Sequence, residues 1–233
     1  MSDGPRVTAR GRGRGRVALT FDTEHPSRPD CPPGNADQLI DTLRLHGVRA
    51  SFFLQGRWAT AYPHTARRIA AAGHLVGNHS NHHAPLSMLS DAGIARDVAE
   101  AGRRILAVTG IDPRPWFRCP FGDGSDDGRV VSALGSAGYR VVGWDVDGAD
   151  WEEGRTAAAV EAAVVGGVRR HGHGAIVVLH SWPGPTAGAV PGIIRRLRDE
   201  GFEFVAVDEL LAAQPNPPRR PRKPSSQEAS DGR

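Results

Sequence analysis

The chain has 233 residues, enough for one domain of barrel size or for two small ones. Its 39% hydrophobic and 24% charged residues are typical of a globular protein and argue against a fibrous, membrane-spanning or wholly disordered chain. The formal net charge of +3 is small for this length, so charge alone does not indicate a nucleic-acid-binding protein. The two cysteines, Cys31 and Cys119, permit one disulfide bond but no disulfide framework.

Much of the positive charge lies in the two ends of the chain. Residues 10–16 alternate arginine with glycine, and a Pro-rich stretch at 214–218 leads into a basic, Ser-rich end. We predict that residues 1–16 and 214–233 are flexible and that residues 17–213 form one folded domain. The arginines could contact nucleic acid, but no aromatic residues lie between them for bases to stack on, so we expect solvated tails and no nucleic-acid partner.

The first 16 residues contain no apolar stretch of signal-peptide length, and no segment has the length and hydropathy of a transmembrane helix. If the sequence starts at the natural N-terminus, we expect a cytoplasmic protein with no membrane contact. A sequence from which a signal had been removed would look the same. The pattern does not indicate an oligomeric state.

Short apolar runs alternate with longer amphipathic ones along the predicted domain. The apolar runs predict strands at residues 17–22, 49–54, 74–77, 115–118, 140–145, 175–180 and 202–207. The amphipathic runs predict helices at residues 36–46, 58–72, 91–109, 128–137, 155–171, 190–200 and 208–213. Repeated strand–helix units indicate an α/β protein with a parallel sheet, and about seven units predict a closed or nearly closed barrel.

The first predicted strand ends in two acidic residues, Asp22 and Glu24. Residues two apart in an extended strand point to the same side, so both carboxylates share one side and Thr23 faces the other. Carboxylates at the end of a buried strand are costly unless they are paired or used in chemistry. Active sites of α/β barrels lie at the C-terminal ends of the strands, which is where these acids are predicted.

Three histidines, His79, His82 and His83, follow the third predicted strand. His79 and His83 are four residues apart, so one turn of helix would place both imidazoles on the same face and direct His82 away. Neutral imidazole is a common ligand of zinc and of similar divalent ions. A polar loop that is merely rich in histidine would show the same pattern, so the residues at the other strand ends have to decide.

Further polar residues follow the fourth, fifth and sixth strands, namely Arg118, Asp147 with Asp150, and His180. Each has an ordinary structural explanation, since Arg118 could form a surface ion pair, Asp150 could cap a helix and His180 could be a satisfied core histidine. In a barrel, however, all of them would meet Asp22 and the histidine cluster at one mouth. The combination favours an active site over a polar loop.

Five segments resemble, in order, the motifs of the polysaccharide deacetylases of the NodB-homology type, carbohydrate esterase family 4. They are TFDTE at 20–24, HSNHH at 79–83, RCPFG at 118–122, DGADW at 147–151 and LH at 179–180. The resemblance covers almost the whole predicted domain. It implies a distorted (β/α) barrel, one divalent metal ion, usually zinc with cobalt or nickel as alternatives, and hydrolysis of an N-acetyl or O-acetyl group.

The resemblance also implies roles for particular residues. The predicted site consists of the catalytic residues Asp22, Arg118, Asp147 and His180, the metal ligands Glu24, His79 and His83, and the substrate-binding residues Phe121, Trp151 and Trp182. Asp22 would act as general base, held ionised by Arg118, and His180 as general acid. Asp147 is the carboxylate expected to raise the pKa of His180, with Asp150 as the alternative.

Two positions depart from the family pattern. Thr23 stands where the family has a second aspartate that binds the metal, and Glu24, one residue later, takes the ligand's place in this interpretation. The alternation of the strand supports Glu24, because Glu24 shares a side with Asp22 and Thr23 does not. Cys119 stands where the family usually has proline, and we interpret it as a small apolar filler, with an oxidisable or metal-sensitive thiol as the alternative.

Three functions are compatible with these residues. The first is a metal-dependent deacetylase acting on an N-acetylated sugar, either a chito-oligosaccharide or a peptidoglycan-like glycan. The second is a hydrolase of a non-sugar amide, cyclic imide or acetyl ester on the same fold. The third is a barrel that binds a glycan or a partner but is catalytically silent, because with Thr23 in place of aspartate it no longer binds the metal.

Overall fold

The computed structural model of the protein describes residues 15–24 and 34–212, and the structural statements below concern these residues. The predicted flexible tails lie outside them, except for Gly15 and Arg16, which form the start of the first strand. Cys31 lies outside them as well. Within the described ranges, no helix has the length and apolar character needed to cross a membrane.

The described residues form one parallel sheet surrounded by helices. The strands are β1 (Gly15–Thr23), β2 (Ser51–Leu54), β3 (Leu75–Asn78), β4 (Trp116–Phe117), β5 (Arg140–Val141), β6 (Val146–Asp147), β7 (Ala175–His180) and β8 (Phe202–Phe204). The helices are α1 (Ala36–Leu45), α2 (Gly56–Ala61), α3 (Pro63–Ala71), α4 (Asp91–Thr109), α5 (Gly128–Ser136), α6 (Ala157–His171), α7 (Gly184–Asp199) and α8 (Val207–Ala212), with 3₁₀ turns at Leu86–Met88 and Pro120–Gly122.

The sheet curls into an incomplete barrel. Its strand order is β5-β4-β3-β2-β1-β7-β6, and β8 pairs with the first residues of β1. The two edge strands, β5 and β6, are consecutive in the chain and are joined by residues 142–145. Such a short connection spans at most roughly 18 Å, so it holds the two edges of the sheet close together. The predicted distorted (β/α) barrel is thus confirmed.

Three elements differ from the prediction by more than a few residues at their ends. The predicted strand at 140–145 ends after two residues, at Val141, and residues 142–145 cross to the opposite edge of the sheet, where β6 begins at Val146. The backbone N–H of Val142 still bonds to β4, whereas that of Asp145 bonds to β7. The predicted helix at 58–72 is two helices, α2 and α3. Pro63 starts the second one, since proline has no N–H to continue a helix but suits its first turn.

The third difference is the helix predicted at 190–200, which begins at Gly184. Pro185 lies in the first turn of α7 and Pro191 lies inside the helix. Proline and glycine are the usual signals of a loop, so the sequence pattern hid the first turns of α7. Packing overrides this local preference, because Thr186, Ala187, Ala189 and Val190 are buried.

The side chains of β1 alternate between two layers. Val17, Leu19 and Phe21 belong to the core formed with the outer helices. Ala18 faces the inside of the curl, in a small cluster with residues such as Phe53. Thr20 and Asp22 follow Ala18 on this inner side, so the strand presents a methyl, a hydroxyl and a carboxylate in succession towards the mouth.

Two adjacent glycines of α6 test how closely the helix packs on the sheet. A Cβ atom at Gly167 would collide with Cγ1 of Val146 in β6, whereas one at Gly166 would have only the flexible end of Arg170 nearby, at 3.4 Å. We expect Gly167→Ala to lower the free energy of unfolding by about 1–3 kcal/mol through overpacking. Gly166→Ala, the matched control, should raise it by about 0.5–1 kcal/mol because alanine is the better helix former.

Urea unfolding of the two variants provides the measurement, since the midpoint shifts with stability at constant slope. Equal effects of the two substitutions would contradict the close contact between α6 and β6.

Candidate active site

A cavity of about 430 Å³ opens at the C-terminal ends of the strands. Every predicted site residue lines it except Arg118, which is fully buried beneath it. The lining residues are Asp22, Glu24, His79, His83, Cys119, Phe121, Trp144, Asp147, Trp151, Val178, His180 and Trp182. The barrel therefore brings the five separate sequence segments to one place, as the strand-end argument predicts.

A buried ion pair lies at the base of the cavity. Nη1 of Arg118 donates hydrogen bonds to Oδ1 of Asp22 at 3.0 Å and to Oγ1 of Thr20 at 2.6 Å. Burial by itself raises the pKa of Asp22, but the charge and hydrogen bond of Arg118, with the charge of His180, hold that pKa below its ordinary value. Asp22 is thus an ionised carboxylate facing the cavity, with Oδ2 directed towards the histidines.

The other two nitrogens of Arg118 also donate hydrogen bonds. Its Nε donates to the carbonyl of Val142 at 3.2 Å and its Nη2 to the carbonyl of Gly143 at 3.0 Å, and the guanidinium lies 4.2 Å from the ring centre of Phe53. Burial lowers the pKa of Arg118, but a guanidinium starts so far above neutral pH that it remains charged. Arg118 is therefore a buried, fixed cation, and the alternative that it forms an ion pair at the surface is wrong.

Thr23 and Glu24 point in opposite directions, as the strand alternation predicts. Oγ1 of Thr23 accepts a hydrogen bond from the backbone of Gln55 at 3.1 Å, and the side chain is buried against β2 outside the cavity. Glu24 lines the cavity, and its Oε1 lies 3.8 Å from Nε2 of His83. Of Thr23 and Glu24, it is thus Glu24 whose side chain approaches the histidines.

His79 and His83 approach each other through their Nε2 atoms, which are 3.1 Å apart. Nδ1 of His79 lies 2.9 Å from the carbonyl oxygen of Arg118. A carbonyl only accepts, so Nδ1 carries the proton and Nε2 presents a lone pair to the cavity. Burial lowers the pKa of His79 despite the nearby charge of Asp22, so the imidazole is neutral at physiological pH.

The histidines reach this arrangement by a loop and not by the predicted helical turn. Ser80 and His83 both have left-handed backbone angles, with φ of 63° and 56°. Oγ of Ser80 accepts a hydrogen bond from the backbone N–H of His83 at 2.9 Å, which closes the loop. His82 lies outside the cavity lining, and its Nε2 accepts from the side chain of Asn81 at 3.0 Å.

His180 is held by Asp150 and not by Asp147, the residue that the family resemblance indicated. Nδ1 of His180 donates to Oδ1 of Asp150 at 2.8 Å, and the buried Asp150 also accepts from Oγ1 of Thr186. Asp147 instead caps the backbone N–H of Ala149 at 2.7 Å. Residue 147 ends a two-residue edge strand, and the turn after it carries residue 150 back against β7.

The environment of His180 favours its charged form. Burial by itself lowers the pKa of His180, but the hydrogen bond and charge of Asp150, together with the charges of Asp22 and Glu24, outweigh burial and raise the pKa to about 9. The imidazole therefore carries a proton at neutral pH. Its Cα position pairs with that of Asp22 across β1 and β7, so an ionised carboxylate and a protonated imidazole lie side by side.

Aromatic side chains form the walls of the cavity. Phe121 is 62% exposed and Trp151 is 52% exposed, which is unusual for large apolar side chains and places both at the rim. The ring of Phe121 meets that of His83 edge-on at 4.5 Å between centres. The ring centres of Trp182 and His180 are 6.1 Å apart. Trp144, which was not among the predicted site residues, completes the wall.

Cys119 lines the cavity with a protonated thiol. Its side chain is buried, and burial, with a smaller contribution from Asp123, raises its pKa to about 12. A thiol with so high a pKa is a weak nucleophile and a weak metal ligand at neutral pH. The structure therefore favours the apolar filler over the reactive thiol.

The side chains in the cavity have the chemistry of a divalent-metal site. Among residues 15–24 and 34–212, no three His, Cys, Asp or Glu side chains are arranged to hold an ion as they stand. Ligand atoms about 2 Å from one zinc ion lie roughly 3.3 Å apart. The two Nε2 atoms at 3.1 Å already match that spacing, and Glu24 at 3.8 Å from His83 needs only a small movement.

Comparisons with known proteins agree with this geometry. Residues 9–142 match the polysaccharide deacetylase family. The chain is 34% identical over 209 residues to a chitooligosaccharide deacetylase of Sinorhizobium fredii, covering 84% of this chain and 92% of that one. It is 32% identical over 195 residues to the peptidoglycan-N-acetylglucosamine deacetylase PgdA of Listeria monocytogenes, covering 84% of this chain but only 38% of that protein's length.

Two solved structures share the fold. A family 4 carbohydrate esterase from Streptomyces lividans in complex with acetate superposes with a TM-score of 0.71 at 31% identity, covering 82% of this chain and 91% of that one. BA3943 of Bacillus anthracis, a CE4 family pseudoenzyme, superposes with a TM-score of 0.73 at 28% identity, covering 86% and 66%. The same fold thus occurs in a carbohydrate esterase and in a pseudoenzyme.

The assignment of Asp150, and not Asp147, as the partner of His180 can be tested through the pKa of His180. We expect Asp150→Asn to lower this pKa from about 9 towards its ordinary value of 6.5, because the main group opposing burial is removed. Asp147→Asn, the matched control, should leave it near 9, since Asp147 does not bond to the imidazole. NMR titration of the His180 ring in EDTA-treated protein gives both values. A large decrease in Asp147→Asn alone would restore the original assignment.

Proposed function

The chain belongs to the polysaccharide deacetylase family, carbohydrate esterase family 4, and on that premise we propose that it is a metal-dependent hydrolase that removes the acetyl group from an N-acetylated sugar. The proposal depends on one observation. The cavity holds an ionised carboxylate, a convergent pair of imidazoles and a protonated histidine within one small space. These are the groups that amide hydrolysis by an activated water requires.

We assign the ion to Glu24, His79 and His83. Zinc suits this mixture of imidazole and carboxylate donors, and cobalt or nickel would be accepted by the same ligands. When bound, such an ion lowers the pKa of water and polarises the acetyl carbonyl. The carbonyl of Arg118 orients His79 through its Nδ1–H, which is the usual arrangement behind a metal-binding imidazole.

Asp22 is the proposed general base. Its Oδ1 accepts the hydrogen bond from Arg118, whereas Oδ2 faces the cavity and lies 3.8 Å from Nε2 of His79. Because Arg118 keeps the carboxylate ionised, Asp22 can accept a proton from water throughout the neutral pH range. The ion pair also prevents rotation of the carboxylate, so the accepting oxygen keeps its direction.

His180 is the proposed general acid. An amine is a poor leaving group unless it receives a proton as the C–N bond breaks. His180 holds that proton below pH of about 9 because Asp150 stabilises the imidazolium. The environments of Asp22 and His180 push their pKa values in opposite directions, which separates the roles of base and acid.

A glycan suits this cavity better than a small amide or imide. Phe121 and Trp151 are exposed at the rim, where flat apolar faces can pack against a sugar ring. The relatives named above include a chitooligosaccharide deacetylase and a peptidoglycan-N-acetylglucosamine deacetylase, so we propose one of these two glycan classes as substrate. This chain spans less than half of the second relative's length, so the proposal concerns the described domain.

Removal of single ligands tests the metal. We expect about one ion per chain in the wild-type protein by elemental analysis and loss of most of it in Glu24→Ala and His83→Ala. His82→Ala is the matched control, because His82 belongs to the same loop but lies outside the cavity and should keep its metal.

A wild-type protein that carries no stoichiometric metal, and whose activity is changed by neither EDTA nor added zinc, would contradict the metallo-hydrolase and favour the silent barrel. Full metal occupancy in Glu24→Ala would overturn only the assignment of this ligand.

Substitution of Asp22 by asparagine tests the general base. Asp22→Asn should keep the metal and lower kcat by about 10²–10⁴-fold on an N-acetylated chito-oligosaccharide, because the amide cannot accept a proton from water. Asp147→Asn neutralises another carboxylate of the same cavity and should retain most of the activity. Turnover by Asp22→Asn at the wild-type rate would exclude Asp22 as the base.

A further inference from the structure

The loop that carries the two cavity histidines is strained. Ser80 and His83 have left-handed backbone angles although neither is glycine. Such residues cost of order 1–3 kcal/mol each and persist only where surrounding contacts hold them. Contacts within the segment provide part of that support, since Asn78 Oδ1 accepts from the Ser80 N–H at 2.9 Å and Ser80 Oγ accepts from the His83 N–H.

The middle of the loop is held from another element by the carboxylate of Asp97 in α4. Oδ1 of Asp97 accepts the backbone N–H of Asn81 at 2.8 Å, and Oδ2 accepts that of His82 at 3.1 Å. One carboxylate thus fixes two successive peptide groups of the loop. These two groups lie between His79 and His83, so their orientation determines how the imidazoles face each other.

The position of Asp97 in its helix is unfavourable without this role. Asp97 is 8% exposed and lies on the buried face of α4 with Ile94, Val98 and Ala101. Aspartate is a poor helix former, and a buried carboxylate is costly unless its oxygens are bonded. Within the described ranges, no basic side chain forms an ion pair with Asp97, so the hydrogen bonds found for the carboxylate are those to the loop.

We propose that Asp97 is a positioning residue that sets the geometry of the His79–His83 pair and thereby the affinity of the site for a divalent ion. The inference rests on the proposed function, because it presumes that this pair binds the metal. Partners behind metal ligands typically contribute 10–100-fold to metal affinity. Asp97 touches neither histidine ring, so at saturating metal the chemical groups Asp22 and His180 should work normally.

The experiment compares zinc affinity in Asp97→Asn, Asp97→Glu and Asp127→Asn, using the full chain and a competing chromogenic chelator. Asp97→Asn places an amide NH₂ against a backbone N–H, whereas Asp97→Glu keeps the charge and both oxygens but moves them by one methylene. Asp127 is the matched control, because its carboxylate also accepts two backbone N–H groups, of Arg129 and Val130, but at the start of α5.

We expect Asp97→Asn to bind zinc about 10–100-fold more weakly than the wild type, Asp97→Glu to fall between them, and Asp127→Asn to match the wild type. The dependence of activity on free zinc should shift by the same factor with an unchanged plateau. Circular dichroism of the zinc-free proteins establishes which variants are folded.

If the folded Asp97 variants bind zinc as the wild type does, the inference is wrong while the proposed function stands. Loss of the fold in both Asp97 variants would also overturn it, because Asp97 would then support the whole domain and not the loop. A wild type that binds no zinc would remove the proposed function and the inference together.

Discussion

The fully buried ion pair between Arg118 and Asp22 is the constraint on which the rest of the cavity depends. Removing a guanidinium and a carboxylate from water is costly, so the pair is tolerated only because the donors of Arg118 have partners in Asp22, Thr20 and two backbone carbonyls. Those carbonyls belong to Val142 and Gly143, in the short segment that crosses from β5 to β6. One side chain therefore orients the Asp22 carboxylate and ties the crossing segment to β1. Breaking such a pair from one side typically costs about 3–5 kcal/mol, since the other charge stays buried.

The electrostatics of the cavity follow from that arrangement. Arg118 holds Asp22 in its charged form, burial holds His79 in its neutral form, and Asp150 holds His180 in its charged form. Three titratable groups within one small space thus have three different protonation behaviours at neutral pH. An ionised carboxylate, a neutral imidazole and a protonated imidazole thus result from burial and partners, although the three groups are one aspartate and two histidines.

Much of the site could be predicted from the sequence because its residues follow strands. Period-two alternation placed Asp22 and Glu24 on the cavity side and Thr23 on the other, and the structure shows this arrangement. The route by which His79 and His83 converge could not be predicted, because it depends on left-handed residues and on a carboxylate from α4. One signal was available, an aspartate on the otherwise apolar face of that helix.

Local patterns in the sequence by themselves determined the parallel α/β architecture and placed most of the polar cavity residues at strand ends, while the family resemblance of five ordered motifs implied their roles. Tertiary structure alone decided which acid holds His180, Asp150 or Asp147, and where residues 140–147 divide between two edges of the sheet. The physical reason is the same in both cases. The bond between Asp150 and His180 and the pairing of β6 with β7 both join segments about 30 residues apart in sequence. The hydropathy and spacing within one segment carry no information about which distant segment it contacts.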